Sequence, residues 1–288
     1  AKLAGSVFRY RSLSGGAIFR PFETPEDDKP VTDAATISHQ PERSGDEAAL
    51  TLSVVVPVYN EADNVEPLLA EIEAALGGRF EHEIIFVDDG SDDATAARLA
   101  PAVAAGRLRL LRHVRRSGQS AAVRSGVKAA RHLWIATLDG DGQNDPADIP
   151  RLIAAVTAAP GGAKPALVGG LRLTRRDTAS KRVASRLANA ARQAVLADGC
   201  SDSGCGAKLF RRDAFLDLPF FGAIHRFLPA LFRAHGHLTA FVEVNHRPRA
   251  KGASKYTNLR RGLIGLVDLI GVYWLMRRTK LSPAVEDR

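Results

Sequence analysis

The pattern of hydrophobic and polar residues changes abruptly at residue 52. Residues 1–50 show no sustained periodicity and contain the segment PFETPEDDKP, which predicts a largely disordered N-terminal arm. From Leu52 onward, short apolar runs alternate with stretches in which apolar residues recur every three or four positions. This alternation predicts an α/β fold with a mostly parallel sheet flanked by helices, because parallel strands are buried on both faces and are joined by helices.

The predicted strands are short and the predicted helices fall between them. Strands are expected at residues 52–57, 83–88, 108–113, 133–139 and 166–170. Helices are expected at residues 64–76, 92–105, 120–132 and 147–158, and a long basic helix at 177–196. Asn64 or Asp63 would cap the first helix, with Val65, Leu68, Leu69, Ile72 and Leu76 on its apolar face. Mixed short elements and two amphipathic stretches would complete an acceptor half.

Composition and charge limit the class of protein. The 288 residues include only two cysteines, Cys200 and Cys205, too few for a disulfide scaffold or a four-cysteine zinc site. Neither a run of 18 uncharged apolar residues nor the apolar stretch of a signal peptide occurs, so a cytoplasmic protein is expected. The net charge of +8 is concentrated in residues 172–192 and 245–280, which indicates an anionic partner such as phosphate, nucleic acid or a membrane surface.

Polar residues follow three of the predicted strands. PVYNE (57–61), DDGS (88–91) and DGDGQ (139–143) stand where the first, second and fourth strands end, the edge at which open α/β sheets bind ligands. Neither the dinucleotide-binding glycine motif nor the P-loop motif is present. Residues 172–192 contain no aromatic residue, which argues against a nucleic-acid-binding module.

The third of these segments has the spacing of a metal site. Asp139, Asp141 and Gln143 stand at positions i, i+2 and i+4, and in an extended backbone they would project to one side. Three oxygen ligands suit Mg²⁺ or Mn²⁺, which keep open positions for substrate phosphates. The alternative is a plain surface turn, since Asp-Gly pairs favour turns.

Four segments in order carry a resemblance to a known family: VVVPVYNEADNV, FVDDGSDDAT, SGQSAAVRSG and LDGDGQNDPADIP. They resemble family-2 glycosyltransferases of the GT-A fold, and among these the polyprenyl-phosphate sugar transferases of the dolichol-phosphate mannose synthase type. The resemblance covers Leu52 to Lys280, and GCGAKLFRR and HRFLPAL support the subgroup. It implies a catalytic domain at 51–245 and a basic loop with amphipathic, membrane-associating helices at 246–288.

The resemblance also implies roles for individual residues. Those expected to bind the nucleotide sugar are Pro57, Tyr59, Glu61, Asp88, Asp89, Asp139, Asp141 and Lys255. Asp139, Asp141 and Gln143 would hold the metal, and Asp139, Asp141 and Arg172 would be catalytic. Arg172, Lys181, Ser185 and Arg249 would bind the lipid phosphate, with lysine at 181 where arginine is common in the family. Helix capping is an alternative role for Glu61, Ser91 and Asp92.

The implied activity is inverting transfer of a sugar from a GDP- or UDP-sugar to polyprenyl phosphate, with Mg²⁺ or Mn²⁺, on the cytoplasmic face of the inner membrane. A phosphate acceptor has a second pKa near 6 and is already anionic at pH 7, so no dedicated base is required. The alternative is a related transferase with a hydroxyl acceptor. It would need a carboxylate base, for which Asp202 is the candidate, whereas His225 and His246 are expected to be structural.

The end of the chain predicts contact with a membrane surface. Gly262–Met276 is mostly apolar, lies between two Arg-Arg pairs and contains Asp268. A helix of this length reaches about 22 Å, less than the roughly 30 Å hydrocarbon core of a bilayer. We therefore expect an interfacial helix with Tyr273 and Trp274 at the level of the headgroups. A terminal helix packed on the core is the alternative.

Overall fold

The computed structural model describes residues 50–157, 164–172, 190, 192–248 and 258–279. Its strands are β1 (Leu52–Val58), β2 (His82–Asp88), β3 (Arg109–Arg112), β4 (Trp134–Thr137), β5 (Leu167–Arg172), β6 (Lys208–Arg211) and β7 (Thr239–Val244). Its helices are α1 (Val65–Leu76), α2 (Thr95–Ala104), α3 (Gln119–Ala129), α4 (Ile149–Thr157), α5 (Arg212–Leu216), α6 (Leu228–Ala234) and α7 (Asn258–Arg278). Short 3₁₀ turns lie at Pro146–Asp148 and Ile224–Arg226.

The strands form one seven-stranded sheet in the order β3-β2-β1-β4-β6-β5-β7. Strands β1 to β4 pair in parallel, and β5 pairs in parallel with β7. Strand β6 runs antiparallel to both of its neighbours, β4 and β5. The mostly parallel sheet predicted from the sequence is therefore confirmed, with β6 as an antiparallel strand that the prediction did not contain.

The central strand β1 shows how the sequence selects its place in the sheet. Its residues are buried, apart from the partly exposed Pro57, as expected for a strand covered on both faces. Strand β4 pairs with β1 only as far as Val55, whereas β2 pairs with it up to Val58. Pro57 thus lies beyond the end of β4, where its missing N–H removes no hydrogen bond to that strand.

Helices pack on both faces of the sheet. Helix α1 buries Val65, Leu68, Leu69, Ile72 and Leu76, the residues predicted for its apolar face. They join one core cluster, to which α4 also contributes. A second core cluster contains apolar side chains of α3, α5 and α6. Burial of each large aliphatic side chain contributes about 1.5–3 kcal/mol. The two covered faces leave the strand ends as the accessible edge of the sheet.

Two predicted boundaries are shifted for identifiable reasons. Helix α2 begins at Thr95 and not at 92, because the carboxylate of Asp93 accepts the Thr95 N–H at 2.9 Å. Strand β5 continues beyond 170 to Arg172, because Arg172 pairs with Val244 of β7. Arg172 is therefore the last residue of the strand and is held by the sheet.

Helix α7 has two apolar faces with different surroundings. Val272 is buried, and Leu269, Leu275 and Met276 pack against the core. Exposed apolar residues on the same helix are Ile264, Leu266, Val267, Ile270, Tyr273 and Trp274. Core packing and an exposed apolar face thus occur together in one helix. Within the part of the chain that the structure describes, no helix has both the length and the continuous apolarity needed to span a bilayer.

Candidate active site

The loops that follow β1 and β2 are bonded to each other. Asn60 adopts the left-handed conformation, with φ of 55°, and its N–H donates to Oγ of Ser91 at 2.9 Å. The N–H of Glu61 donates to Oγ1 of Thr95 at 2.9 Å. Ser91 thus links the two loops and does not cap α2, whose N-cap residue is Ala94, while the carboxylate of Asp93 accepts the N–H of Thr95. These contacts fix the predicted nucleotide loops against one another.

Tyr59 and Glu61 lie at this edge, each with a partner nearby. The guanidinium of Arg116 stacks over the ring of Tyr59, 4.1 Å from its centre. The carboxylate of Glu61 accepts a hydrogen bond from Nδ2 of Asn64 at 2.6 Å. Both predicted residues are partly exposed, so they are accessible from the strand-end edge where a ligand is expected.

Asp88, the last residue of β2, is fully buried. Its Oδ1 accepts the N–H of Ser91 at 2.8 Å. Its Oδ2 has no hydrogen-bond partner among the described residues and lies 3.5 Å from Nε of Arg112. A buried carboxylate oxygen with unused acceptor capacity suits an N–H or O–H donor of a ligand, as the prediction for this residue requires.

Asp89 has a different role from its neighbour. Its Oδ1 accepts the N–H of Ser117 at 2.8 Å and lies 2.7 Å from Nδ1 of His113, and its Oδ2 accepts the N–H of Gly118 at 2.7 Å. With both oxygens engaged and the side chain buried, Asp89 anchors the loop 113–118. We therefore revise its expected role from direct contact with the nucleotide to support of the loop that carries Arg116.

Asp139, Asp141 and Gln143 lie beyond the end of β4, in a turn. Oδ1 of Asp141 accepts the N–H of Gln143 at 3.1 Å, and Gly142 adopts a left-handed φ of 72°. The backbone here is not extended, the condition under which all three side chains would project to one side, because Asp141 closes a local turn that Gly142 permits. Asp139 is oriented by Gln119, whose Nε2 donates to its Oδ1 at 2.7 Å.

The two aspartates influence each other electrostatically. Burial and the negative charge of Asp141 raise the pKa of Asp139, and the positive charges of Lys208 and Arg172 oppose this shift. A divalent cation would relieve the repulsion, and two carboxylates with an amide oxygen are suitable ligands when substrate oxygens complete the shell. No group of three or more His, Cys, Asp or Glu side chains suited to a metal is present among the described residues. The two carboxylates and the amide oxygen of Gln143 are a donor set that fits a divalent metal completed by substrate oxygens.

Arg172 reaches the same edge from the other half of the sheet. Its Nε and Nη2 donate to the two carboxylate oxygens of Asp202 at 2.6 and 2.8 Å. Asp202 begins the loop 202–206, which ends beside Asp139. A Cβ atom at Gly206 would lie 2.3–2.5 Å from atoms of the Asp139 carboxyl group, so a larger residue there would force the Asp139 side chain to move. The structure thus connects Arg172 and Asp139 through one short loop.

Several predicted residues lie outside the described part of the chain. They are Lys181, Ser185, Arg249 and Lys255, together with the arm at 1–49 and most of the helix predicted at 177–196. The segment before Arg249 is described as far as residue 248. Within it, the N–H of Arg247 donates to the carbonyl of Gln143 at 3.0 Å. The chain that leads to Arg249 and Lys255 is therefore attached to the turn of Asp139 and Asp141.

Three residues beside Asp139 were not among the site residues predicted from the sequence. Gln119, Lys208 and His225 line a small cavity together with Asp139 and Pro57. Gln119 stands in the segment SGQSAAVRSG, which carried the family resemblance, so the motif itself was a signal. Lys208 and His225 follow no predicted strand. Both lie in segments that supported the resemblance, GCGAKLFRR and HRFLPAL, but those segments did not indicate that either side chain faces Asp139.

Relatives of known function match most of the chain. Dodecaprenyl-phosphate galacturonate synthase of Rhizobium johnstonii is 35% identical over 238 residues, which cover 80% of this chain and 68% of that protein. Undecaprenyl-phosphate 4-deoxy-4-formamido-L-arabinose transferase of Pseudomonas fluorescens is 37% identical over 223 residues, which cover 76% of this chain and 64% of that protein. The chain thus spans about two thirds of the length of these relatives.

Solved structures share the fold. Glucosyl-3-phosphoglycerate synthase of Mycobacterium tuberculosis, in complex with Mn²⁺, UDP and glucosyl-3-phosphoglycerate, aligns with a TM-score of 0.60 at 23% identity over 80% of each chain. The complex of the same enzyme with Mg²⁺ and UDP also aligns with a TM-score of 0.60. The family described as Glycosyl transferase family 2 matches residues 53–218, the part of the chain that contains Asp88, Asp139 and Arg172. The chain is a GT-A glycosyltransferase and belongs to glycosyl transferase family 2.

Proposed function

We propose that the protein transfers a sugar from a nucleoside-diphosphate sugar to a polyprenyl phosphate, with inversion and with Mg²⁺ or Mn²⁺ bound. One observation carries the proposal: the guanidinium of Arg172 and the carboxylates of Asp139 and Asp141 converge on one edge of the sheet, joined by the loop 202–206. The names of the relatives, which act on dodecaprenyl and undecaprenyl phosphate, support the choice of acceptor.

The donor would lie along the loops after β1, β2 and β4. Asp88 offers a buried carboxylate oxygen that accepts no hydrogen bond from the described residues to a base or ribose donor, and Tyr59 and Glu61 line the same edge. Asp139, Asp141 and Gln143 would hold the metal, which neutralises the diphosphate as it leaves. The same oxygens accept equally from uracil and guanine, so the proposal extends to both UDP- and GDP-sugars.

The acceptor would approach Arg172. Its Nε and Nη2 bind Asp202, but a guanidinium has five N–H donors, which leaves donors for a phosphate oxygen. An anionic oxygen of the lipid phosphate attacks the anomeric carbon while the bond from that carbon to the diphosphate oxygen breaks. The nucleoside diphosphate departs with the bonding electrons, so no proton has to be removed from the acceptor.

The candidate base of the hydroxyl-acceptor alternative is already engaged in an ion pair. Asp202 was the candidate, but both of its carboxylate oxygens accept charge-assisted hydrogen bonds from Arg172. A carboxylate in such a bidentate pair is stabilised in its charged form and is a weak proton acceptor. This pairing favours an acceptor that arrives already ionised.

The membrane surface would be contacted by α7. We define the α7 apolar stripe as Leu266, Val267, Ile270, Tyr273 and Trp274, whose spacing places them on one side of the helix. All five are exposed, and Arg277 and Arg278 follow them at the end of the helix. Aromatic side chains with flanking arginines are typical of helices that lie in the interface of an anionic bilayer. A peripheral location on the cytoplasmic face of the inner membrane is therefore part of the proposal.

The experiment is a transfer assay with the purified chain. A panel of UDP- and GDP-sugars is incubated with short polyprenyl phosphates, with Mg²⁺, with Mn²⁺ or with EDTA, and the glycolipid is detected by mass spectrometry. We expect a polyprenyl phosphate sugar with a divalent metal and loss of product with EDTA. Transfer only to hydroxyl acceptors, or no transfer from any donor, would refute the proposal.

The role of Asp141 as a metal ligand can be tested by comparing two variants. Asp141→Asn removes one charge but keeps the oxygen that accepts the Gln143 N–H, so we expect the fold to persist and kcat to fall by roughly a hundredfold or more. Asp145→Asn is the control, since Asp145 caps the neighbouring 3₁₀ turn and is not a proposed ligand. Equal activity of the two variants at limiting metal would exclude Asp141 as a ligand.

A further inference from the structure

Lys208 is a buried cation at the start of β6. Only 5% of the residue is exposed. Its Nζ donates to the carbonyl oxygen of Cys205 and, at 3.4 Å, to that of Ser203. In the sheet, Lys208 lies opposite Thr137 of β4 and Gly169 of β5. The ammonium group therefore holds the loop 202–206 from beneath, at the point where this loop enters the sheet.

The loop has a second anchor and two functional ends. Oγ1 of Thr137 donates to the carbonyl of Gly206 at 2.8 Å. At its beginning, Asp202 binds the guanidinium of Arg172, and at its end Gly206 lies against the carboxyl group of Asp139. Movement of the loop would release the Arg172 guanidinium, which Asp202 holds, and would break the contact of Gly206 with the Asp139 carboxyl group. Arg172 and Asp139 are the residues assigned to the acceptor phosphate and to the donor diphosphate.

The charge of Lys208 is costly where it stands. Burial of an ammonium group carries a large desolvation penalty unless opposite charges and hydrogen bonds compensate for the lost hydration. Lys208 obtains two carbonyl oxygens and the nearby carboxylate of Asp139, whose pKa its positive charge lowers. A leucine or methionine would fill the same strand position without that cost, so packing alone does not account for the lysine.

We propose that Lys208 is a positioning residue, which locks the loop 202–206 and thereby fixes Arg172 relative to Asp139. The inference rests on the proposed function, because the distance that matters is the one between the acceptor phosphate and the anomeric carbon of the donor. Misplacement of reacting groups by about 1 Å can lower a rate by roughly a hundredfold while each ligand still binds. The signature of a positioning role is therefore a loss in kcat with little change in either KM.

The primary test compares Lys208→Met with the wild type in the transfer assay. We expect kcat to fall by about tenfold to a hundredfold, with the KM of each substrate changed by less than about threefold. Slow hydrolysis of the donor in the absence of lipid should fall much less, because it does not require Arg172. Lys208→Arg, which keeps the charge and the donors, should recover part of kcat.

Two further variants keep the test decisive if Lys208→Met folds poorly. Thr137→Val removes the second anchor of the loop with little change in volume. We expect kcat to fall here too, by less than in Lys208→Met. Ser53→Ala removes a buried hydroxyl that donates to Glu83 at 2.7 Å, near the beginning of β1 and far from the strand ends. This control should lower stability without changing kcat of the folded enzyme.

A readout independent of activity reports on the loop itself. Cys205 is buried within it, so release of the loop should expose this thiol. We therefore expect a thiol reagent to react faster with Cys205 in the Lys208→Met and Thr137→Val variants. The rate is measured in a Cys200→Ser background, in which Cys205 is the only cysteine. Inactive wild-type enzyme with normal protection of Cys205 would refute the proposed function but leave the loop anchor standing. An active wild type with an unchanged kcat in Lys208→Met, or with an effect on KM alone, would overturn the inference.

Discussion

At the scale of single residues, the ion pair between Arg172 and Asp202 has the most direct consequence for experiments. The side chains are only 11% and 10% exposed, and the pair is bidentate. Removal of one partner from a largely buried pair leaves the other charge buried without compensation, which lowers the free energy of unfolding by about 3–5 kcal/mol. Loss of Arg172 therefore changes stability as well as any contact with a substrate, and a single alanine variant would mix the two effects.

A double variant separates these effects. Arg172→Ala should destabilise the protein by roughly 3–5 kcal/mol, and Arg172→Ala combined with Asp202→Asn should regain much of that loss, because no charge is left unpaired. In both variants the KM for polyprenyl phosphate should rise by about tenfold to a hundredfold, the worth of a charge-assisted phosphate contact. The KM for the nucleotide sugar should stay within about threefold. Chemical denaturation and steady-state kinetics provide the two measurements.

The outcome that contradicts this assignment is specific. If the double variant restores both stability and the lipid KM, Arg172 serves only to hold Asp202 and the loop behind it. If only the donor KM rises, the acceptor phosphate lies elsewhere on the edge.

Single residues were predictable from the sequence only where a motif follows a strand along the chain. Asp88 and Asp139 stand at the ends of apolar runs, so their place on the edge follows from the sheet. The different roles of Asp88 and Asp89 do not follow from the sequence. They depend on whether the side chain contacts the loop 113–118 or faces the ligand edge. Lys208 was missed because its partners are backbone carbonyls, which carry no sequence signal.

At the scale of elements, strand and helix positions follow the hydrophobic period closely. Helix α1 and strand β2 match their predicted ranges to within one residue. Strand β6 was missed because KLFR is a four-residue run that begins with a lysine and has no alternation to distinguish it. Its position is decided by two neighbours that pair with it from distant parts of the chain, information that local periodicity does not contain.

Helix α7 carries a prediction of its own. Val267→Glu combined with Ile270→Glu places charges in the α7 apolar stripe, where these residues are 69% and 61% exposed. If the stripe lies in a bilayer, each substitution removes roughly 1.5–3 kcal/mol of apolar burial, so partitioning should fall by more than about tenfold. The measurement is co-sedimentation with vesicles of phosphatidylglycerol and phosphatidylcholine.

The matched control for this experiment is Leu238→Glu. Leu238 is 54% exposed but precedes β7 and is not part of the helix, so its substitution should leave vesicle binding unchanged. All three substitutions are at exposed positions and should alter stability little. Equal binding by wild type and the double variant would exclude the stripe as a membrane contact.

At the scale of the whole molecule, His225 couples global stability to pH. Its Nδ1 lies 2.7 Å from Oγ of Ser120, and burial, with the nearby charges of Arg226 and Lys208, lowers the pKa of His225 to about 3. The unfolded chain binds a proton at this residue below its ordinary pKa of 6.5, whereas the folded chain stays neutral. Stability is therefore fully present above pH 6.5 and is lost as the pH falls toward 3.

The expected size of this loss is measurable. Between pH 7 and pH 5, the free energy of unfolding should fall by up to about 2 kcal/mol from His225. His235, whose pKa is also lowered by burial, acts in the same direction. His225→Asn should flatten the profile over this range, and urea denaturation at several pH values provides the test. An unchanged slope in the variant would show that His225 is protonated in the folded protein.

The antiparallel direction of β6 has a consequence for how such enzymes diversify. The chain leaves the sheet at Arg172 and re-enters it at Lys208, and the pairing of β5 with β6 keeps both points on the same edge. Arg172 and Lys208, which precede and follow residues 173–207, are thus both held by the pairing of the sheet. Because closing a longer loop between fixed ends costs little extra entropy, a change of length between Arg172 and the loop 202–206 should leave the pairing of β1, β2 and β4 intact. Exchange of this stretch between relatives should then test whether it determines acceptor preference while the loops after β1, β2 and β4 stay unchanged.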